Sequence, residues 1–205
     1  MKFSAISPLL LAFAGVALGS LNATTIIAEI APGSESCDAA NTECRTAAQA
    51  GPLIANAMGK YGIYNVNQMA AIVALMAFES VDFAYKHNVS PGRPGQGTAN
   101  MQMAAYNLLY AKSLDGVKDK VAGISSVDGL SDDKLNEILA LVTPDEYNFG
   151  SGPWFITTQC EASVLTGLAT DIDTGFQSYM DCVGTTLTDE RTAYLTRAKE
   201  AFGIN

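Results

Sequence analysis

Two carboxylates at the end of an apolar stretch are the residues that most invite chemistry. Glu79 directly follows the apolar residues MAAIVALMAF at 69–78, and Asp82 stands three residues on. Partial burial and the negative end of a helix dipole both favour a protonated carboxyl at Glu79, the state a general acid needs. In a continuing helix, a spacing of three puts Asp82 on the same face. Two carboxyls in one cleft are the minimal equipment for cleaving a glycosidic bond: one protonates the leaving oxygen, the other places water or stabilises positive charge. The plainer alternatives are a Glu79 that lies in water past the buried section and an Asp82 that caps the next turn or pairs with Lys86.

The second candidate is Pro91 to Met103, PGRPGQGTANMQM. Its glycines and prolines shape a loop, and Gln96, Thr98, Asn100 and Gln102 line up polar groups where it enters an apolar segment. A phosphate-binding loop needs G-x4-G-K-[ST], and no lysine is present, which argues against nucleotide binding. Closely spaced amides and hydroxyls suit a sugar, whose hydroxyls take paired donors and acceptors. The structural alternative is a turn with Asn100 as helix cap.

Composition narrows the rest. The 205 residues carry 12 Lys+Arg against 21 Asp+Glu, a net charge of −9, and 48% of them are hydrophobic. That rules out a mainly disordered chain, and it argues against a nucleic-acid partner or a basic membrane-surface binder. A lone histidine, His87, excludes a multi-histidine metal site and leaves little for a Ser-His-Asp or Cys-His enzyme; G-x-S-x-G is absent. No metal and no cofactor is expected. The partner expected is a polysaccharide, bound by a monomer.

Met1-Lys2, the apolar run Pro8 to Leu18 and Ala17-Leu18-Gly19 before Ser20 read as a secretory signal peptide over 1–19, too short to span a membrane. Secretion fits four cysteines: Cys37, Cys44, Cys160 and Cys182. Of the three possible pairings, Cys37–Cys44 and Cys160–Cys182 are expected because each clips a short segment. Zinc is the competing reading, though no C-x2-C occurs. Asn22-Ala23-Thr24 and Asn88-Val89-Ser90 are glycosylation sequons at Asn22 and Asn88, the second beside the candidate site.

The elements that must position these residues are helical. Residues 20–36 show no clear periodicity and read as an N-terminal arm or pro-segment, before one domain over 37–205. Thr42 to Lys60 has a helical pattern interrupted by Gly51-Pro52. Asn65 or Asn67 caps a helix running to about Tyr85, apolar all round at its centre and therefore the buried central helix. Asn100 to Ser113, Asp132 to Val142 capped by Ser131, Pro153 to Leu168, Asp173 to Val183 and Thr188 to Phe202 complete the set. The expectation is all-α, a single domain around one hydrophobic core with two disulfides.

Glu79-Ser80 on a buried helix, followed by Gly97-Thr98-Ala99-Asn100-Met101-Gln102, resembles the goose-type lysozyme and lytic transglycosylase superfamily. The mature chain is also similar to small secreted fungal lysozyme-like, muramidase-related proteins with an A-L-M-A-F-E-S…P-G-x-P-G-Q-G-T-x-N-M-Q pattern. The resemblance implies a lysozyme-like catalytic domain with Glu79 as general acid and Gln102 lining the cleft, flanked by Asn100 and Met101. Tyr106, Asn107 and Tyr110 would meet the substrate from the next helix. Trp154, the one tryptophan, is a candidate second sugar platform, with a core position as the alternative. Together these lead to the expectation of a secreted glycoside hydrolase cleaving the β-1,4 bonds of peptidoglycan, a muramidase. Chitin or chitosan hydrolysis and lytic transglycosylation are the competitors within the class, and a non-catalytic effector or wall-binding protein is the competitor outside it.

Overall fold

Capping side chains stand where the chain turns into helix, and apolar faces decide which helices meet. The computed structural model describes residues 22–205; the expected signal peptide lies outside them. In chain order the helices are α1 (Ala23–Ile30), α2 (Ala47–Lys60), α3 (Val66–Glu79), α4 (Ala104–Ser113), α5 (Asp132–Val142), the single turn α6 (Asp145–Asn148), α7 (Ser151–Thr158), α8 (Ala162–Thr170), α9 (Ile172–Cys182) and α10 (Asp189–Phe202). No β-strand forms among the described residues. The all-α expectation holds, and both disulfides are Cys37–Cys44 and Cys160–Cys182.

α3 is the axis. Asn65 Oδ1 accepts from Asn67 N and Gln68 N to start it. Ala70 to Ala77 are all buried, and α1, α7, α8, α9 and α10 pack around the helix. Each large side chain such as Ile72 or Leu75 adds about 1.5–3 kcal/mol by leaving water. Small alanines at 70, 71, 74 and 77 let the neighbours approach closely.

α3 ends at Glu79 and does not run on to Tyr85. Ser80 Oγ donates to Met76 O (2.6 Å) and accepts from Phe83 N (3.0 Å). Val81, Asp82 and Phe83 then take left-handed conformations, φ 53°, 56° and 65°. That reversal swings the Phe83 ring into the core, where it meets Phe149 edge-on.

Residues 20–36 are not a free arm where they are described. Asn22 caps α1, and Ile26, Ile27 and Ile30 are buried against α2, α3 and α10. Two turns are too few to register as periodicity, so the sequence did not betray the helix. Gly51-Pro52 does not interrupt α2 either. A Cβ on Gly51 would come within 2.9 Å of the Ala23 and Thr24 backbone, so glycine lets α1 cross there. Pro52 is exposed, and the Ala48 carbonyl it leaves unbonded is on the exposed side.

Two further boundaries move. α4 begins at Ala104, because residues 98–103 form a tight turn. The expected Pro153–Leu168 helix divides at Gln159–Glu161, where Cys160 is tied to the end of α9. The expected single core is two buried clusters. One surrounds α3; the other joins α4, α5 and α7, with Trp154 and Tyr110 inside it. Tyr61, Val183 and the Cys160–Cys182 bridge pack against both clusters.

Candidate functional site: a two-lobed cleft at the end of α3

Glu79 is the last residue of α3, and its side chain is 23% exposed in the wall of a cleft. An inner lobe of about 290 Å³ runs from Glu79 past Gln96, Asn100, Met101, Gln102 and Tyr106 to Arg191 on α10. An outer lobe of about 380 Å³ lies beside Phe78, Val81, Tyr85, His87, Asn88 and Val89. Glu79, Gln96 and Met101 belong to the walls of both lobes.

Arg191 Nη2 donates to Glu79 Oε1 at 2.8 Å, and the guanidinium stacks 4.5 Å from the centre of the Phe78 ring. The group expected to hand over a proton is thus engaged as an ion-pair acceptor. Tyr179 is buried nearby. Burial first and the Glu79 charge second push its phenol above its usual range, so it keeps its proton. Arg191 escaped the sequence reading because 112 residues separate it from Glu79. One signal existed: a cation in the first turn of α10 opposes the helix dipole.

The loop from Arg93 to Met103 is held by its own backbone. Gly97 bridges His87 on one side and Gln102 on the other, and Thr98 N donates to Lys86 O (2.8 Å). A Cβ on Gly97 would collide with that Lys86 carbonyl and with Leu139. Thr98 and Met101 are left-handed, φ 68° and 46°. All five non-glycine residues with positive φ among those described therefore lie in the two segments around the cleft. Such strain persists only where the surroundings over-determine it, and it concentrates at functional sites.

The hydrogen bonds fix which amide ends are left over. Asn107 Nδ2 donates to the Gly95 and Gln102 carbonyls (2.8 and 3.1 Å), so its Oδ1 must face Gln102 Nε2 (2.9 Å). Gln102 Oε1 then has no partner. Gln96 Nε2 donates to Met101 O (2.9 Å), which leaves Gln96 Oε1 in the same condition. Asn100 Oδ1 and Arg191 Nε are also buried and unpaired. Only two other such side-chain atoms occur among the described residues, on Asn148 and Tyr179.

Several expected site residues are elsewhere. Asp82 does not share the cleft with Glu79, because the left-handed turn redirects it. Its Oδ2 accepts from Gly33 N (2.8 Å) and its Oδ1 from Tyr194 OH (2.7 Å), which ties the turn to α10. Thr98 is buried and donates to Gly97 O. Asn107 is the buried hub described above. Tyr110 donates to Tyr147 O and stacks on Trp154 (4.9 Å) in the second core, so neither ring is a ligand platform. Gln96, Asn100, Gln102 and Tyr106 do line the inner lobe. Asn22 is exposed at the start of α1, and Asn88 borders the outer lobe, its Oδ1 accepting from Gly92 N and Arg93 N.

A clamp behind the outer lobe also went unread. The segment closed by Cys37–Cys44 grips residues 83–87. Asn41 Nδ2 donates to Ala84 O (2.9 Å), Lys86 N donates to Glu43 Oε2 (2.8 Å), and Arg45 N donates to Phe83 O (3.0 Å). Glu43 also pairs with His87 Nδ1 at 2.8 Å. Asp145 joins Arg45 (2.7 Å) to the buried Lys86 (2.6 Å). Burial alone would push the Asp145 carboxyl up, but the Arg45 and Lys86 cations beside it hold it below its usual range.

No known family profile matches the chain, and no solved structure matches it. Over 157 residues, 76% of the chain, it is 56% identical to a protein of Fusarium oxysporum (strain Fo5176) described as a bifunctional dioxygenase (DOX)-epoxy alcohol synthase (EAS). The chain spans only 12% of that protein's length. This relative overturns the expectation of a glycoside hydrolase acting on peptidoglycan, together with its chitinolytic and transglycosylase variants. The description of the protein it matches names two oxygen-chemistry activities.

Proposed function

We propose that the cleft at the end of α3 binds an oxygenated organic molecule that presents hydroxyl groups. The observation that carries this reading is the set of unpaired buried atoms on residues lining one lobe: Gln96 Oε1, Asn100 Oδ1 and Gln102 Oε1 as acceptors, Arg191 Nε as donor. A buried polar atom without a partner costs about 1–3 kcal/mol. A hydroxyl both donates and accepts, so a ligand with several can satisfy both kinds at once after small side-chain rotations. The relative's description supports the same chemistry, since dioxygen insertion and epoxy alcohol formation place oxygen functions on a carbon skeleton. The two disulfides favour an oxidising, extracellular setting.

Among the described residues no three His, Cys, Asp or Glu side chains gather into a metal-binding set, and His87 is committed to Glu43. These residues do not fit a redox metal.

The test is a chemical-shift titration with simple polyols, short saccharides, vicinal diols and epoxy alcohols. The expected result is saturable perturbation at residues 96–102 and at Arg191, weakened about tenfold or more in Gln96→Leu. If no hydroxylated compound perturbs these residues, the reading fails.

A further inference from the structure

The two lobes of the cleft differ in chemistry. The inner lobe is lined by Gln96, Asn100 and Gln102, whose buried amide oxygens have no partner. The outer lobe is bordered by Val81, 58% exposed, and Val89, 53% exposed, together with Phe78 and Tyr85, while His87, Asn88 and Ser90 supply its polar part. Met103, another exposed apolar side chain, stands at the inner lobe. Val81 is the oddest of these, because a β-branched residue at φ 53° is strained and its side chain gains little burial in return. Asparagine would sit there more easily. A strained apolar residue presented to solvent beside a polar site fits contact with something apolar.

We infer that the outer lobe receives the hydrocarbon part of the ligand, which is therefore an amphiphile. Its hydroxylated head lies among Gln96, Gln102 and Arg191, and its carbon chain passes the shared wall at Glu79 and Met101 to rest on Val81 and Val89. This rests on the hydroxyl-binding reading above and adds the second half of the ligand to it.

Straight-chain 1,2-alkanediols from butanediol to octanediol, kept below self-association, separate the two claims in a chemical-shift titration. Affinity rises about two- to fourfold per added methylene while the chain fills the lobe. Perturbations spread from residues 96–102 to Val81 and Val89 as the chain lengthens. In Val81→Asn and in Val89→Ser the gain per methylene shrinks. If diols perturb 96–102 with an affinity independent of chain length, the outer-lobe inference is overturned and head-group binding stands. A chain-length gain that survives undiminished in the Val81→Asn, Val89→Ser double variant overturns it as well, since the hydrocarbon then binds elsewhere. If no diol perturbs 96–102, both readings fall.

Discussion

Replacing Val81 by asparagine should stabilise the protein while weakening its grip on a hydrocarbon chain. Val81 sits at φ 53° between Ser80 and two more left-handed residues. An L-residue in that region is disfavoured by about 1–2 kcal/mol, and β-branching places valine at the upper end. Asparagine tolerates the conformation. Against this stands lost burial: the residue is 58% exposed, so less than half of the about 1.5–2 kcal/mol for a fully buried valine is forfeited. The net expectation is a gain of about 0.5–1 kcal/mol, which for a domain of this size is about 1–4 °C in Tm. Calorimetry and urea unfolding with both disulfides intact measure it. Val81→Thr, isosteric and equally β-branched, keeps the strain and should gain nothing. If Val81→Asn is no more stable than the parent, or if threonine gains as much, strain at Val81 is not what the left-handed turn stores.

Further expectations come from the other close approaches. Gly51→Ala forces α1 off the backbone contact at Ala23 and Thr24; a loss of about 1–3 kcal/mol in urea unfolding is expected, and an unchanged midpoint would count against that contact. Asp145 is held low by Arg45 and Lys86, so the unfolded chain takes up the proton first on acidification. The stabilisation is present above about pH 4 and fades as pH falls through the lower folded value, giving a steeper acid loss of Tm in the parent than in Asp145→Asn. Replacing Cys37 and Cys44 together by serine frees the segment that grips residues 83–87. Amide exchange at Phe83 and Lys86 should then accelerate more than exchange in α4; uniform acceleration would show that the loop is no clamp.

Much of the fold was legible because its causes are local. Asn65, Ser131 and Thr188 cap the helices that follow them, and each bond spans only two or three residues. The unbroken apolar run before Glu79 could only be a buried helix, and the short Cys37–Cys44 spacing anticipates its own bridge. Glu79 at a cleft, with Gln96 and Gln102 beside it, was visible for the same reason: a carboxylate after an apolar run and amides in a glycine loop are local anomalies. Asp82 was misread because helical phase was carried past Ser80, where a hydroxyl and three left-handed residues reverse the chain. Trp154, Tyr110 and Asn107 have side chains suited to a ligand, but packing gave them to the second core and to a buried amide hub.

The sequence by itself determined the buried central helix, the caps at Asn65, Ser131 and Thr188 and both disulfides, because those depend on neighbours a few residues apart or on a short loop. Only the tertiary structure decided that Arg191 meets Glu79, that Asp82 answers to Gly33 and Tyr194, and that two differently lined lobes share one wall. Those pairings join residues far apart in the chain, and nothing local fixes them. They are set by how the faces of α3 and α10, and the loops between helices, pack to bury their apolar surface.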